Sequence, residues 1–299
     1  MRVRSNIATQ RGIALVLVLW ALLLLTITTG SFALMARMDT LEANALLSGT
    51  QARLSAEAAI NLAVLALRDP HDETRMRADG RIYSQVIDGV TVEVSAIDER
   101  GKLDINASSE LTMVNLFSGH GMELTAAELL AAAVMDWRDQ DELERVNGAE
   151  EDAYYAAGLQ VGPANRPLMM TEELLQVIGM PYELYRRVEP GITVFSRSGE
   201  PNPAFAPVEA LMALPDITYA EAMNFVEERN SRQPGDTIGT ELPNGIIVME
   251  QGRGVTYSIQ ARATMPNGVW EQLQVTIRLG GNRSGSPYRV LRWREGFQY

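Results

Sequence analysis

Eight acidic side chains lie between residues 136 and 152, where two arginines offset them and leave that segment a formal charge of −6. The eight are Asp136, Asp139, Asp141, Glu142, Glu144, Glu150, Glu151 and Asp152. Carboxylates at this density repel one another unless a cation or solvent relieves them. Oxygen donors without His or Cys select calcium or magnesium. The residues alone leave two interpretations open, a hard-cation site and a solvated acidic loop.

The acidic segment does not complete a standard calcium loop or a hydrolase site. Asp139-x-Asp141 begins like an EF-hand, but its sixth position is Glu144 rather than glycine. A paired-carboxylate hydrolase needs a substrate groove with aromatic platforms, and the chain is only 6% aromatic. Cys is absent, His occurs twice, and Lys102 is the single lysine, so material for acid–base catalysis is scarce. We therefore predict that the protein is not an enzyme.

A basic leader precedes a long apolar stretch at the start of the chain. Residues 1–12 contain Arg2, Arg4 and Arg11 and no acid, whereas residues 13–36 carry no charge. A helix of about 20 residues spans a bilayer core of about 30 Å. No small-residue signal-peptidase site follows the apolar core. We predict a retained transmembrane helix, with the N-terminus cytoplasmic by the positive-inside rule and the bulk of the chain on the other side.

The rest of the sequence predicts an α+β fold. Apolar residues recur at three- and four-residue steps over 37–67, so the first helix is expected to continue to the stop at Asp69-Pro70. Strand patterns occupy 81–97, as a hairpin around Asp88-Gly89, and 102–106, where we expect a small antiparallel sheet to begin. Short helical patterns follow. Strand patterns return at 246–250, 255–265, 270–279 and 288–294.

The net charge argues against a nucleic-acid-binding protein, and the start of the chain resembles that of a known protein family. A formal net charge of −12 argues against nucleic-acid binding. Gly12-Ile13, at the start of the apolar helix, is similar to the prepilin peptidase site of type IV pilin-like proteins. These usually have a glutamate as fifth residue of the mature chain, and here that residue is Leu17. The member that typically lacks the glutamate is the minor pseudopilin K of the type II secretion system, which the whole chain resembles.

The resemblance implies a division of the chain and a fold. Residues 1–12 would be the cleaved leader and 13–36 the transmembrane part of the helix. Residues 37–106 would hold the rest of the helix and the first strands of a pilin-like domain, and 236–299 its returning strands. A helical domain of SAM-like or helix-hairpin-helix type would be inserted at 107–235 and contain the acidic loop 136–152.

The resemblance also implies a function. The protein would start and cap the periplasmic pseudopilus from the bacterial inner membrane, with a methylated new N-terminus. Its partners would be minor pseudopilins I and J, the prepilin peptidase and the inner-membrane secretion platform. The alternative is a single-pass periplasmic binding or sensor module with an uncut anchor. Calcium would bind the acidic loop, and the expected ligands from its two ends are Asp139, Asp141, Glu150, Glu151 and Asp152.

Overall fold

The computed structural model describes residues 13–232, 239–243, 245, 247–248, 252, 254–280 and 286–296. In chain order the α-helices are α1 (Ile13–Leu67), α2 (Glu110–Gly119), α3 (Leu124–Arg138), α4 (Glu151–Ala156), α5 (Tyr182–Val188), α6 (Val208–Leu211) and α7 (Tyr219–Ser231). The strands are β1 (Asp79–Ile87), β2 (Val90–Asp98), β3 (Leu103–Asp104), β4 (Ile192–Thr193), β5 (Thr240–Glu241), β6 (Ile247–Val248), β7 (Thr256–Thr264), β8 (Trp270–Leu279) and β9 (Tyr288–Glu295).

The first helix has the length that the sequence predicts. Residues 13–47 of α1 are exposed around the whole helix and extend about 52 Å from the globular part at about 1.5 Å per residue. The rest packs against the sheet through positions three or four apart, which are Ala52, Ala56, Ala59, Ile60, Ala63, Val64 and Leu67. Four of these are alanines, so the helix backbone can approach the sheet closely.

The main sheet is antiparallel and combines early and late strands in the order β1-β2-β7-β8-β9. The predicted hairpin is confirmed: Asp88 and Gly89 connect β1 to β2 with φ values of 50° and 81°, as a two-residue turn requires. Alternate residues of β2 face α1, with Val92 and Ala96 fully buried. The α+β class, with a long helix packed on an antiparallel sheet, is therefore confirmed.

The inserted helical domain leaves and rejoins the sheet at its membrane-distal end. At the point where α1 first contacts the sheet, Asn267 in the β7–β8 turn donates a hydrogen bond to Ser48 Oγ at 2.9 Å. Thirteen residues further along α1, Asn61 accepts one from Tyr288 Oη at 3.0 Å. Asp98, the last residue of β2, pairs with Tyr257 of β7, which in turn pairs with Ile277 near the end of β8. The insertion point is thus at the end of the sheet opposite the protruding part of α1.

Two predicted strands belong elsewhere than expected. The strand predicted over 102–106 in the antiparallel sheet is wrong in its placement, because β3 pairs in parallel with β4. Leu103 and Ile105 are fully buried in the core of the helical domain rather than against α1. Of the strand predicted over 246–250, residues 246, 249 and 250 lie outside the described residues, and residues 247–248 form β6, which pairs with β5 in a separate two-stranded sheet. Local alternation indicates a strand, but its partner depends on distant residues. The predicted strands at 255–265, 270–279 and 288–294 are confirmed.

A buried polar network fixes the inserted domain to the sheet. Glu99, 1% exposed, lies 3.0 Å from the Lys102 ammonium and accepts a hydrogen bond of 2.6 Å from Ser258 of β7. Thr193 of β4 donates to the other carboxylate oxygen of Glu99. Because the three partners come from both domains, this carboxylate connects the helical core to the sheet. A cavity of about 350 Å³ adjoins the network between the two domains.

Candidate metal centre

Asp136 organises the acidic segment from the last turn of α3. Its side chain is fully buried, and its Oδ2 accepts hydrogen bonds from the backbone N–H groups of Arg145, at 3.3 Å, and Ala149, at 2.9 Å. These bonds fold the loop after α3 back onto the helix end. Asp136 is not among the ligands that the sequence predicts. Helical periodicity could have placed it on the buried face, since Ala132 and Ala133, four and three residues earlier, are also buried.

Gly148 makes the close approach of the loop possible. A Cβ at this position would lie 1.9 Å from Asp136 Oδ2, a distance that no side chain tolerates. The backbone N–H of Gly148 itself bonds to the carbonyl of Arg145 at 2.9 Å, which closes a tight turn. The glycine is therefore required for the carboxylate of Asp136 to reach the loop.

Glu150 brings a second buried carboxylate to the same place. Its side chain is 8% exposed, and burial, followed by the charges of Asp136 and Asp139, raises its pKa from 4.5 to about 7. Burial is also the largest cause that raises the pKa of Asp136, and the Asp139 charge adds to it. The charges of Asp136 and Asp139, at the end of α3, and of Glu150, just before α4, thus affect one another.

Each of the three converging acids has an oxygen without a hydrogen-bond partner. The atoms are Asp136 Oδ1, Asp139 Oδ1 and Glu150 Oε1, all of them buried. Arg145 is the cation among them: its Nε lies 3.3 Å from Asp136 Oδ1, outside hydrogen-bond geometry, and its Nη2 lies 3.2 Å from Asp139 Oδ2. With the side chains in these positions, no group of three acidic or histidine residues in the described part of the chain is arranged to hold a metal ion. The orphaned oxygens nonetheless suit a hard cation, because carboxylates are its preferred donors.

The other three predicted ligands lie at the surface. Asp141 is exposed and accepts a hydrogen bond from the backbone of Leu143 at 3.0 Å. Glu151 is exposed and accepts one from Tyr155 Oη at 2.7 Å. Asp152 is also exposed, in the first turn of α4. The charges of Asp139 and Glu150 thus act together with that of Asp136, whereas Asp141, Glu151 and Asp152 are exposed at the surface.

Aromatic residues support the loop from beneath. The rings of Trp137 and Tyr154 are 6.0 Å apart at an interplanar angle of 42°, and both residues are buried. Tyr154 Oη accepts a hydrogen bond from the backbone of Ile178 at 3.1 Å, which connects α4 to the rest of the helical core. Both residues therefore pack beneath the loop. The neighbouring Tyr155 is 53% exposed and does not belong to this packing.

The predicted processing site lies at the other end of the molecule. Gly12 is outside the described residues, and Ile13 is the first residue of α1. Leu17 follows on the same helix and is 64% exposed. Among the described residues, α1 is the one helix that is long and apolar enough to cross a membrane. The fold and this helix together define a class, a membrane-anchored pilin-like subunit with a helical domain inserted into its sheet.

Comparisons with known proteins show which members of this class the chain resembles. A family model described as type II secretion system protein K matches residues 91–197. The type II secretion system protein K of Pectobacterium carotovorum is 29% identical over 247 residues, which cover 74% of this chain and 75% of that protein. Its counterpart from Klebsiella pneumoniae is 27% identical, with the same coverage. Residues 91–197 therefore match this family, and 74% of the chain is similar to these relatives, which supports the role of a minor pseudopilin in type II secretion.

A solved structure shares the fold. A chain of the GspK-GspI-GspJ complex from the enterotoxigenic Escherichia coli type II secretion system matches with a TM-score of 0.54 at 18% identity. The match covers 88% of this chain and 99% of that one. It therefore includes the sheet and the inserted domain.

Proposed function

We propose that this minor pseudopilin starts and caps the tip of the periplasmic pseudopilus. The observation that carries the proposal is the position of the inserted domain, which leaves and rejoins the sheet at its membrane-distal end. Arg292 and Arg294 of β9 form ion pairs with Glu172 of that domain, and Arg294 also pairs with Glu189 at 2.6 Å. A domain held this firmly above the sheet would obstruct a subunit stacked on top.

The residue at position 17 supports the same role. In a pilin-like filament, a glutamate there would neutralise the N-terminal amine of the subunit ahead, because an unpaired charge in an apolar medium is unfavourable. A subunit at the tip has no neighbour ahead and no amine to neutralise. Leu17 offers no charge and suits that position.

The helix α1 supports a location for the protein, and the structural neighbour supports its partners. The exposed part of α1 would cross the bacterial inner membrane once, with the N-terminus in the cytoplasm and the bulk of the chain in the periplasm. The structural neighbour was solved with GspI and GspJ, which supports minor pseudopilins I and J as partners here. The prepilin peptidase would cut between Gly12 and Ile13, and the inner-membrane platform would receive the mature subunit. We expect assembly and no catalytic turnover.

Mass spectrometry of the membrane-extracted protein tests processing. Cells that contain the prepilin peptidase should yield a chain that begins at Ile13, and cells without it a chain that begins at Met1. A Gly12→Val variant in peptidase-positive cells serves as the uncut control. An intact Met1 in all cells would favour the alternative, a periplasmic binding or sensor module on an uncut anchor. Co-purification with pseudopilins I and J distinguishes the same two functions.

Calcium at the acidic loop is the second part of the proposal. Asp136, Asp139 and Glu150 would supply donors through their orphaned oxygens, while the predicted ligands Asp141, Glu151 and Asp152 lie at the rim. A bound cation would screen the carboxylates from one another and stabilise the connection from α3 to α4. Arg145, whose side chain is 43% exposed, is able to turn outward when a metal enters.

Thermal unfolding in calcium and in chelator tests the site. The wild-type protein should melt higher in calcium, because a ligand at 100 times its Kd stabilises the native state by about 2.7 kcal/mol. Asp139→Asn should remove most of that gain. Glu144→Gln, which removes an exposed acid of the same segment, is the matched control and should retain the gain. Equal melting temperatures of the wild type with and without calcium would leave a solvated acidic loop.

A further inference from the structure

The two edges of the main sheet differ in how they are protected. Exposed edge strands offer unpaired backbone groups to other strands, and proteins block them with charges, bulges or covering segments. The edge strand β9 has charges and a register shift, and ion pairs connect it to other elements. It carries Arg289, Arg292, Arg294 and Glu295, its register shifts opposite Thr276 and Ile277, and it forms ion pairs with the inserted domain and with α1.

Within the residues that the structure describes, the opposite edge has none of these protections over residues 82–87 of β1. This stretch, Ile-Tyr-Ser-Gln-Val-Ile, contains no charge and no proline, and its pairing with β2 runs from Ile82 to Ile87 without a bulge. In the part of the chain that the structure describes, β1 has a partner strand on one side only. Ile82 and Val86 are each 69% exposed on one face, and Ile87 is 38% exposed on the other. Such a strand is a template for pairing with another chain.

The position of residues 82–87 in the sheet determines which chains can pair with this stretch. Gly89, at the tip of the β1–β2 hairpin, lies beside Pro266, and the neighbouring Asn267 bonds to Ser48 of α1. The unprotected stretch therefore lies at the membrane-proximal end of the sheet, and β1 runs toward the membrane. A protein anchored in the same membrane can place a strand beside it.

Chain direction argues against a second copy as the antiparallel partner. Antiparallel pairing of two β1 strands needs a two-fold axis normal to the sheet, which would reverse the direction of α1 in one copy. Two such copies cannot insert their helices in the same membrane. An antiparallel partner must instead present a strand that runs away from the membrane, and a different subunit is free to do so.

We propose that residues 82–87 of β1 form the docking edge for a strand of a neighbouring, different pseudopilin, which extends the sheet by β-augmentation. The inference rests on the proposed assembly function. Backbone hydrogen bonds would supply the pairing, and Ile82 and Val86 would be covered by side chains of the added strand. The edge would then align the periplasmic domains of two subunits near the membrane surface.

Hydrogen exchange on the full-length protein in detergent tests the docking edge. Spectra of the protein alone are compared with spectra of its complex with co-expressed minor pseudopilins I and J. Those amides of residues 82–87 that point away from β2 should exchange at least ten-fold more slowly in the complex. A complex that forms with unchanged exchange at these amides overturns this inference and leaves the proposed function intact. Failure to form any complex overturns both.

Substitutions provide an independent test. Val86→Lys places a charge at the unprotected edge and should weaken retention of the partner at least ten-fold, whereas Val290→Lys, at 45% exposure on the protected edge, should leave retention unchanged. Should Val86→Lys unfold, the exchange experiment on the wild type decides. Ser84→Cys introduces a single cysteine into a chain that has none. A disulfide between two copies at Cys-substituted position 84 would contradict a different subunit as occupant.

Discussion

Replacing Glu150 by glutamine should stabilise the metal-free protein at pH 8 and remove its response to calcium. The pKa of this carboxyl rises from 4.5 in the unfolded chain to about 7 in the native state, chiefly by burial and then by the charge of Asp136. Between these two values the native state keeps a proton that the unfolded state has lost. The stability contributed by this group is therefore fully present below about pH 4.5 and is lost as the pH rises through about 7.

The size of the effect follows from the shift. The pKa changes from 4.5 to about 7, and at about 1.4 kcal/mol for each pH unit the upper limit is about 3.5 kcal/mol. The loop lies at the surface, where solvent screens charges, so we expect about 1–2 kcal/mol. Glutamine has nearly the same shape and no charge, and should recover this free energy of unfolding at pH 8 while leaving the value at pH 4.5 nearly unchanged.

Urea unfolding in chelator at pH 4.5 and pH 8 measures the difference between wild type and Glu150→Gln. Glu144→Gln is the control, because that acid is exposed in the same segment. Addition of calcium at pH 8 should stabilise the wild type and the control, but not Glu150→Gln. The reasoning is refuted if Glu150→Gln and wild type show the same pH dependence, since burial of Glu150 among acids would then have no energetic consequence.

Three further changes test separate parts of the structure. Gly148→Ala should lower the free energy of unfolding by about 2–4 kcal/mol in chemical denaturation, because its Cβ would meet the Asp136 carboxylate. Glu99→Ala should cost about 3–5 kcal/mol by leaving Lys102 buried and unpaired, whereas the double variant Glu99→Leu/Lys102→Met should cost clearly less. Leu17→Glu should reduce secretion of exported enzymes, because a carboxylate within a membrane helix costs about 2.5–3.5 kcal/mol when no amine neutralises it; normal secretion by that variant would contradict the tip position.

Local patterns were sufficient where neighbouring residues determine the structure. The end of α1 follows from Asp69-Pro70, because proline disfavours the helical conformation of the residue before it. The β1–β2 hairpin follows from Asp88-Gly89, since both positions need a positive φ. Both elements depend on residues only a few positions apart, so local sequence patterns are sufficient to predict them.

Long-range pairing was the part that local patterns could not provide. Leu103 and Asp104 read as a strand, but their partners are Ile192 and Thr193, which are 89 residues further along the chain. No feature near Leu103 distinguishes an antiparallel neighbour in the sheet from a parallel one in the helical domain. The partner is chosen by burial, since Leu103 and Ile192 belong to the same helical core.

The candidate metal centre shows the same division between composition and placement. Charge density alone identified the segment, and the role of Asp139 and Glu150 as metal ligands stays a prediction. The helix α4 was not predicted because its first turn is acidic and short. The burial of Asp136 depends on Gly148 and on the N–H of Ala149, and these residues are 12 and 13 positions away. A high density of carboxylates therefore predicts the segment in which a cation would bind. Which carboxylates become buried depends on how the loop after α3 folds back onto the helix end.

Features at the two ends of the molecule fit the same position in a filament. At the membrane end, an uncharged Leu17 and an unprotected β1 edge suit a subunit that has neighbours beside it and below it. At the distal end, the helical domain closes over the top of the sheet through the buried carboxylate of Glu99 and the ion pairs of Arg294. A subunit in the middle of a filament would need the reverse, a charge at position 17 and an open distal surface. The combination supports the proposal that no subunit is stacked above this one.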